Sequence, residues 1–199
     1  MNKTLITLSL VSALVACQST QQQVNNQSVT KPATYEMIIE GIKPNLPASE
    51  LTKLCEQVLD KTNQDFSLLE KQSGKVTLKS VVGSFDRIID GMSPIRHVWH
   101  IRAVHPNAEI RDAATECSQK ASEFYTKVGL SRGYYDRLSA IDSNGLSESE
   151  QYMLKRSLEN FKRAGVDRSE EVREKITSLQ KEITEIGNEF SKNIREDVR

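Results

Sequence analysis

The chain has 199 residues, with 27 Lys+Arg against 27 Asp+Glu, a formal net charge of zero and a pI near 6.8. No block of basic residues stands apart, so the clustered positive surface that nucleic acid requires is missing and that class of partner is set aside. Its length suits one domain with a real core, once the first residues are accounted for.

Those first residues read as an address. Lys3 supplies a short positive region and Leu5 to Ala16 is apolar or small. At about twelve residues this run fits a signal peptide and is too short to span a bilayer as a helix. It ends in Leu14-Val15-Ala16-Cys17, which resembles the bacterial lipoprotein box. Residues 1–16 are therefore expected to be a lipoprotein-type signal, and Cys17 to be lipidated and become the new N-terminus. Acyl chains on one residue hold a protein to a membrane at about 0.8 kcal/mol per buried methylene. Gln18 rather than Asp after the cysteine favours outer-membrane sorting in a Gram-negative cell, so the expected location is exported, facing the periplasm. Residues 17–34 are mostly Gln, Asn, Ser and Thr and read as a polar tether. The folded part is expected to run from residue 35 to 199.

Glycine and proline divide that part into about six helical segments and leave no strand pair, so the expected fold is all-α, an antiparallel helical bundle or array. Ser49 can cap a first helix over Glu50 to Glu70, with Leu51, Leu54, Cys55, Val58, Leu59 and Phe66 on one side. A second helix spans Thr77 to Asp90, ended by Gly91 to Pro94, and Ile95 to Val104 forms a third segment. Asn107 caps the fourth, where Ala113, Ala114, Cys117 and Ala121 recur three or four apart and predict close helix–helix approach. Gly133 to Ile141 is a fifth. Ser147-Glu148-Ser149-Glu150 is a capping box for the next, which stops at Ala164-Gly165. The final helix carries Val172, Ile176, Leu179, Ile183, Ile186 and Phe190 in steps of 4, 3, 4, 3 and 4. Such a stripe, about 40 Å of helix, predicts packing against other helices rather than a ligand site.

Local chemistry is sparse. His97, His100 and His105 are the only histidines; His97 and His100 could share a helix face, but no cysteine lies near and four ligands cannot be assembled. No His-Glu-x-x-His, Gly-x-Ser-x-Gly or phosphate-binding glycine loop occurs. Glu148/Glu150 and Glu170/Glu171 lie at predicted helix starts, where they complement the dipole. Neither a catalytic nor a metal-binding residue is assigned. Cys55 and Cys117 could pair in an oxidising compartment, but two separately buried thiols, packing as small hydrophobes, are the expected arrangement.

From His105 onward the wording is more specific. Asn107-x-x-x-Arg111-x-Ala113-Ala114-x-Glu116-Cys117, then Ser122-x-Phe124, the Tyr135 helix, the Gly165-Val166 break and Phe190-x-Lys192-Asn193-x-x-Glu196-Asp197 follow in order. In this the chain resembles the N-terminal part of the thimet oligopeptidase and neurolysin family of zinc metallopeptidases. The resemblance implies a two-lobed helical enzyme that cleaves short peptides, with zinc held in the other lobe. The present chain would be one channel wall, restricting substrate size and lacking the catalytic site. It implies no cofactor in this chain and zinc in the parent enzyme. The absence of a cap or turn signal before Arg199 leads to the expectation of a segment truncated at its C-terminus, with part of the Ile176/Ile183/Phe190 stripe left exposed. The alternative is a free-standing helical lipoprotein acting as a peptide-binding or interaction module.

Overall fold

The computed structural model describes residues 46–197, and the regular structure among them is helical throughout. In chain order the helices are α1 (Ala48–Lys71), α2 (Leu78–Asp90), α3 (Val98–Val104), α4 (Ala108–Gly129), α5 (Arg132–Ser139), α6 (Glu148–Ala164) and α7 (Glu170–Glu196). A 3-10 turn at Ser93–Ile95 sits between α2 and α3. The expected signal peptide over 1–16, the expected polar tether over 17–34 with the lipidation site Cys17, and residues 35–45 of the expected folded part lie outside the described residues.

Side chains at the helix starts satisfy amides that have no partner within the helix. Asn107 Oδ1 accepts from the Glu109 and Ile110 amides, at 2.8 and 3.3 Å. At α6 the capping box forms as expected, the Ser147 amide donating to Glu150 Oε2 at 2.8 Å while Ser147 Oγ meets the Glu150 amide. The Ser147 hydroxyl, donating to Glu150 Oε2 at 2.7 Å, and then the Ser147 amide hold the Glu150 carboxyl below the usual carboxylate range. A second box, Thr77 with Ser80, opens α2.

Two boundaries differ from the sequence expectation. α1 starts at Ala48 with Pro47 as its cap residue, so Ser49 falls inside the first turn and caps nothing. Proline's fixed φ already suits the extended cap conformation, and its carbonyl accepts from Glu50 and Leu51. The segment expected from Ile95 to Val104 splits, because Pro94 supports a tight 3-10 turn and the α-helix resumes only at Val98.

α1 and α4 pack side by side at the centre, with α2 and α5 against α1, α3 against α4, and α6 against α5. Ala114 and Ala121 on α4 are fully buried, and with no side chain beyond Cβ they let the two backbones come close. Cys55 on α1 and Cys117 on α4 meet there and are joined in a disulfide, their Cα atoms 5.8 Å apart. The expectation of two separate thiols is thereby corrected. Both cysteines do lie on apolar faces, as read from the sequence, but those faces face each other within bonding distance. Above the bridge Phe66, completely buried, is ringed by Phe85, Phe124 and Tyr134 at centroid distances of 6.1, 5.7 and 5.6 Å. Burial pushes the Tyr134 hydroxyl well above its ordinary range, so it stays neutral.

α6 ends at Gly165, whose φ of 100° is left-handed, and the Val166 amide returns to the Phe161 carbonyl at 3.1 Å. A Cβ on Gly165 would stand 2.7 Å from Ile176 Cδ1. Gly165→Ala is therefore expected to lose about 1–2 kcal/mol from backbone strain, the isoleucine tip moving aside at small cost. Urea unfolding measures this; wild-type stability in the variant would show that the turn does not hold this conformation.

Candidate functional site

The feature of this surface with most to offer a partner is α7. Ser169 caps it by accepting from the Val172 amide, and Glu170 and Glu171 occupy its first turn, where negative charge meets the positive end of the helix dipole. No residue of α7 is fully buried. It docks on α4 through polar groups. Gln119 donates to Glu185 Oε1 at 3.0 Å, and Lys181 pairs with Glu123 at 3.6 Å. Arg195 donates to the Arg102 carbonyl at 3.0 Å, Arg102 itself donates to Asn188 Oδ1, and Arg173 reaches the Val166 carbonyl.

The half-buried residues of α7 are Arg173, Ile176, Thr184, Asn188 and Arg195. At about 100° per residue their centre lies roughly a third of a turn from the apolar stripe. The stripe therefore points away from the body. Ile183 is 61% exposed, Ile186 65%, Phe190 65% and Ile194 63%. The expectation that the stripe packs along most of its length is not met among the described residues, whereas exposure of Ile183 and Phe190 is as expected. Ile176 alone turns toward the body, its tip against the Gly165 turn. An exposed row of large aliphatic and aromatic side chains is a usual mark of an interaction surface.

Between α7 and α4 lies a cleft lined in part by Arg102, Asp112, Glu116, Asn188, Lys192 and Arg195. Arg102 Nε, Asn188 Nδ2 and Arg195 Nε are buried there without a hydrogen-bond partner. Its acidic and basic side chains balance, so it has no preference for ligands of either charge. A second cleft, between α1 and α4, is lined by Glu56, Asp60, Lys120 and Lys127 among others. The hydrogen bond from Lys120 to Glu116, at 2.9 Å, raises the Lys120 pKa, with Glu56 at 3.5 Å assisting.

The histidines do not converge. His97 Nε2 accepts from Arg96 and His105 Nδ1 accepts from the Asn107 amide, both at 3.1 Å, while His100 is exposed. Among the described residues no group of three or more His, Cys, Asp or Glu could hold a metal ion. The described residues therefore do not fit zinc. Glu148, Glu150, Glu170 and Glu171 stand in first helical turns as expected. Among the described residues no helix is long and apolar enough to cross a membrane.

Comparison with known proteins defines the lineage of this helical body. Residues 55–173 match the family described as Neurolysin/Thimet oligopeptidase, N-terminal domain. The chain is 29% identical over 142 residues to the mitochondrial intermediate peptidase of Saccharomyces cerevisiae, a stretch covering 68% of this chain and 18% of that protein. It is 27% identical over 122 residues to the probable cytosolic oligopeptidase A of Arabidopsis thaliana, covering 57% and 17%. With oligopeptidase A of Haemophilus influenzae it shares 26% over 113 residues, covering 55% and 16%. The chain thus spans less than a fifth of the length of these relatives. The matched residues include both bridged cysteines, the buried aromatic cluster and the Gly165 turn, and on that ground the chain belongs to the neurolysin/thimet oligopeptidase family, of whose peptidases it is an N-terminal domain.

Proposed function

We propose that this chain serves as the non-catalytic N-terminal segment of an exported zinc metallo-oligopeptidase, forming a channel wall that restricts entry to short peptides. The observation that carries the reading is the family match over residues 55–173, which covers the helical body and not a catalytic centre. The names of the relatives are those of peptidases and oligopeptidases. Zinc and the groups that activate water would then be supplied by residues outside this chain. Export, with a lipid on Cys17 as membrane anchor and the periplasm as compartment, is part of the same proposal. A buried disulfide supports it, since such bridges persist in oxidising compartments and are rare in reducing ones.

Reading the coding DNA past codon 199 tests the assignment. A continuing frame encoding His-Glu-x-x-His is the expected result, and the 199-residue chain alone, supplied with zinc, should leave a short fluorogenic peptide uncut. Peptide cleavage by the isolated chain would refute the non-catalytic role. A stop codon at position 200 would favour a second reading, a free-standing helical lipoprotein acting as an interaction module. The observation on its side is the exposed stripe of α7.

A further inference from the structure

We propose that the Cys55–Cys117 bridge is made before the helical body packs, by exchange between the unfolded chain and an external disulfide, and that packing then seals it from thiols. The proposal stands on the bridge and its surroundings, apart from the peptidase reading. Cys55 and Cys117 are each only 2% exposed. One helical turn to either side stand Leu51 and Leu59 on α1, and Ala114 and Ala121 on α4, all of them buried. A cleft does run between α1 and α4, but neither cysteine is among the residues that line it.

Exchange has a steric demand that this packing does not meet. A cysteine thiolate attacks one sulfur of the donor, and the donor's other sulfur leaves as a thiolate. The second cysteine then attacks the mixed disulfide and expels the remaining donor sulfur. In sum the cysteine pair gives two electrons to the donor, one S–S bond breaks as another forms, and the two cysteine protons end on the donor's thiols. In each step the attacking, central and leaving sulfurs lie close to one line, so the donor must reach directly to a cysteine sulfur. In the packed body that space belongs to the α1–α4 interface, where Ala114 and Ala121 are fully buried. A sulfur-bearing donor has no place there.

Local opening offers no way round. Phe66 of α1 meets Phe124 of α4 at 5.7 Å between centroids, and its other ring neighbours, Phe85 and Tyr134, come from α2 and α5. Parting α1 from α4 far enough to admit a donor breaks that junction, so the opening that exposes the sulfurs is the global one. Further chain packed on this body adds to the cover over the bridge, so the inference needs no exposed face to stay free. Exchange is reversible, and reduction by a dithiol retraces oxidation by the matching disulfide. A bridge that cannot form in the packed body cannot be reduced there either. It therefore records the compartment in which the chain folded.

The experiment uses the full 199-residue chain carrying Cys17→Ser, which leaves Cys55 and Cys117 as its only cysteines. The chain is oxidised while unfolded, refolded, and then treated with dithiothreitol at rising urea while free thiols are trapped and counted. This follows the exchange path from its far end and does not require the reduced chain to fold. Without urea the bridge is expected to be reduced at least about a hundredfold more slowly than in the urea-unfolded chain. The logarithm of the rate should climb with urea at the slope of global unfolding, measured by circular dichroism. As a control, Glu182→Cys on the exposed side of α7 carries a mixed disulfide with glutathione, which should be reduced at the same rate with and without urea. Rapid reduction of the bridge without urea overturns the proposal. So does slow reduction whose rate ignores urea, which would mean local opening, or equal protection at the exposed control position. None of these results bears on the reading frame past codon 199, so this proposal and the peptidase reading fail separately.

Discussion

Replacing Cys55 and Cys117 together by alanine is expected to cost about 4 kcal/mol of stability, on the chain-entropy account of a bridge that closes a 62-residue separation. The bridge joins α1 to α4, the two helices at the centre of the body, and its removal frees the unfolded chain. For a domain of this size the loss corresponds to a fall in melting temperature on the order of 10 °C. Thermal and urea unfolding of the wild type, with and without reductant, should show the same loss. The double alanine variant should not respond to reductant at all. Equal stability of oxidised and reduced wild type would show that the cysteines are not bridged in the folded chain. It would also withdraw the observation that supports an oxidising compartment.

The bridge shows what a single sequence can and cannot reveal. Periodicity placed both cysteines on apolar helix faces, and both are there. It does not say which apolar faces oppose each other, since that depends on how α1 and α4 cross and how nearly they approach. The small residues Ala114, Cys117 and Ala121 carried part of that information, because close approach was read from them. Combined with Cys55 at the middle of the α1 face, they were the signal available for the pairing. Helix ends were legible at the side-chain caps Asn107 and Ser147 and at the left-handed Gly165, while Thr77 was read as the first helical residue and the Ser131 cap was not read. They were missed at Pro47, which caps α1 by its backbone alone.

α7 is the opposite case. Its stripe was plain in the sequence, but an apolar stripe states only that something should cover it. What holds α7 to the body instead is a set of polar and charged side chains, Gln119 to Glu185, Lys181 to Glu123 and Arg195 to the Arg102 carbonyl. Exposed pairs of this kind contribute about 0–1 kcal/mol each. Residues at such contacts have no periodic signature that separates them from a solvated face, so the docked side of the helix could not be read in advance. The same reasoning makes α7 the least firmly attached element of the body, and the one whose surface is most open to a partner.

Phe66→Ala is expected to cost about 3–5 kcal/mol, the usual range for removing a buried phenylalanine ring. The site cannot collapse cheaply. Phe66 is completely buried, and Phe85 from α2, Phe124 from α4 and Tyr134 from α5 each approach it edge-on or nearly so. These rings belong to four different helices, so closing the void would require four helices to move together, against the Cys55–Cys117 bridge that fixes two of them. Edge-to-face pairs add stabilisation beyond area burial, at about 0.5–1.5 kcal/mol each, which places the expected loss toward the upper end. Phe66→Leu keeps most of the volume and loses the ring edges, so it should cost less than half as much. Chemical denaturation of the two variants beside the wild type makes the comparison. If Phe66→Ala costs no more than Phe66→Leu, the ring is not the hub of the four-helix junction, and the centre of the core must lie nearer the disulfide.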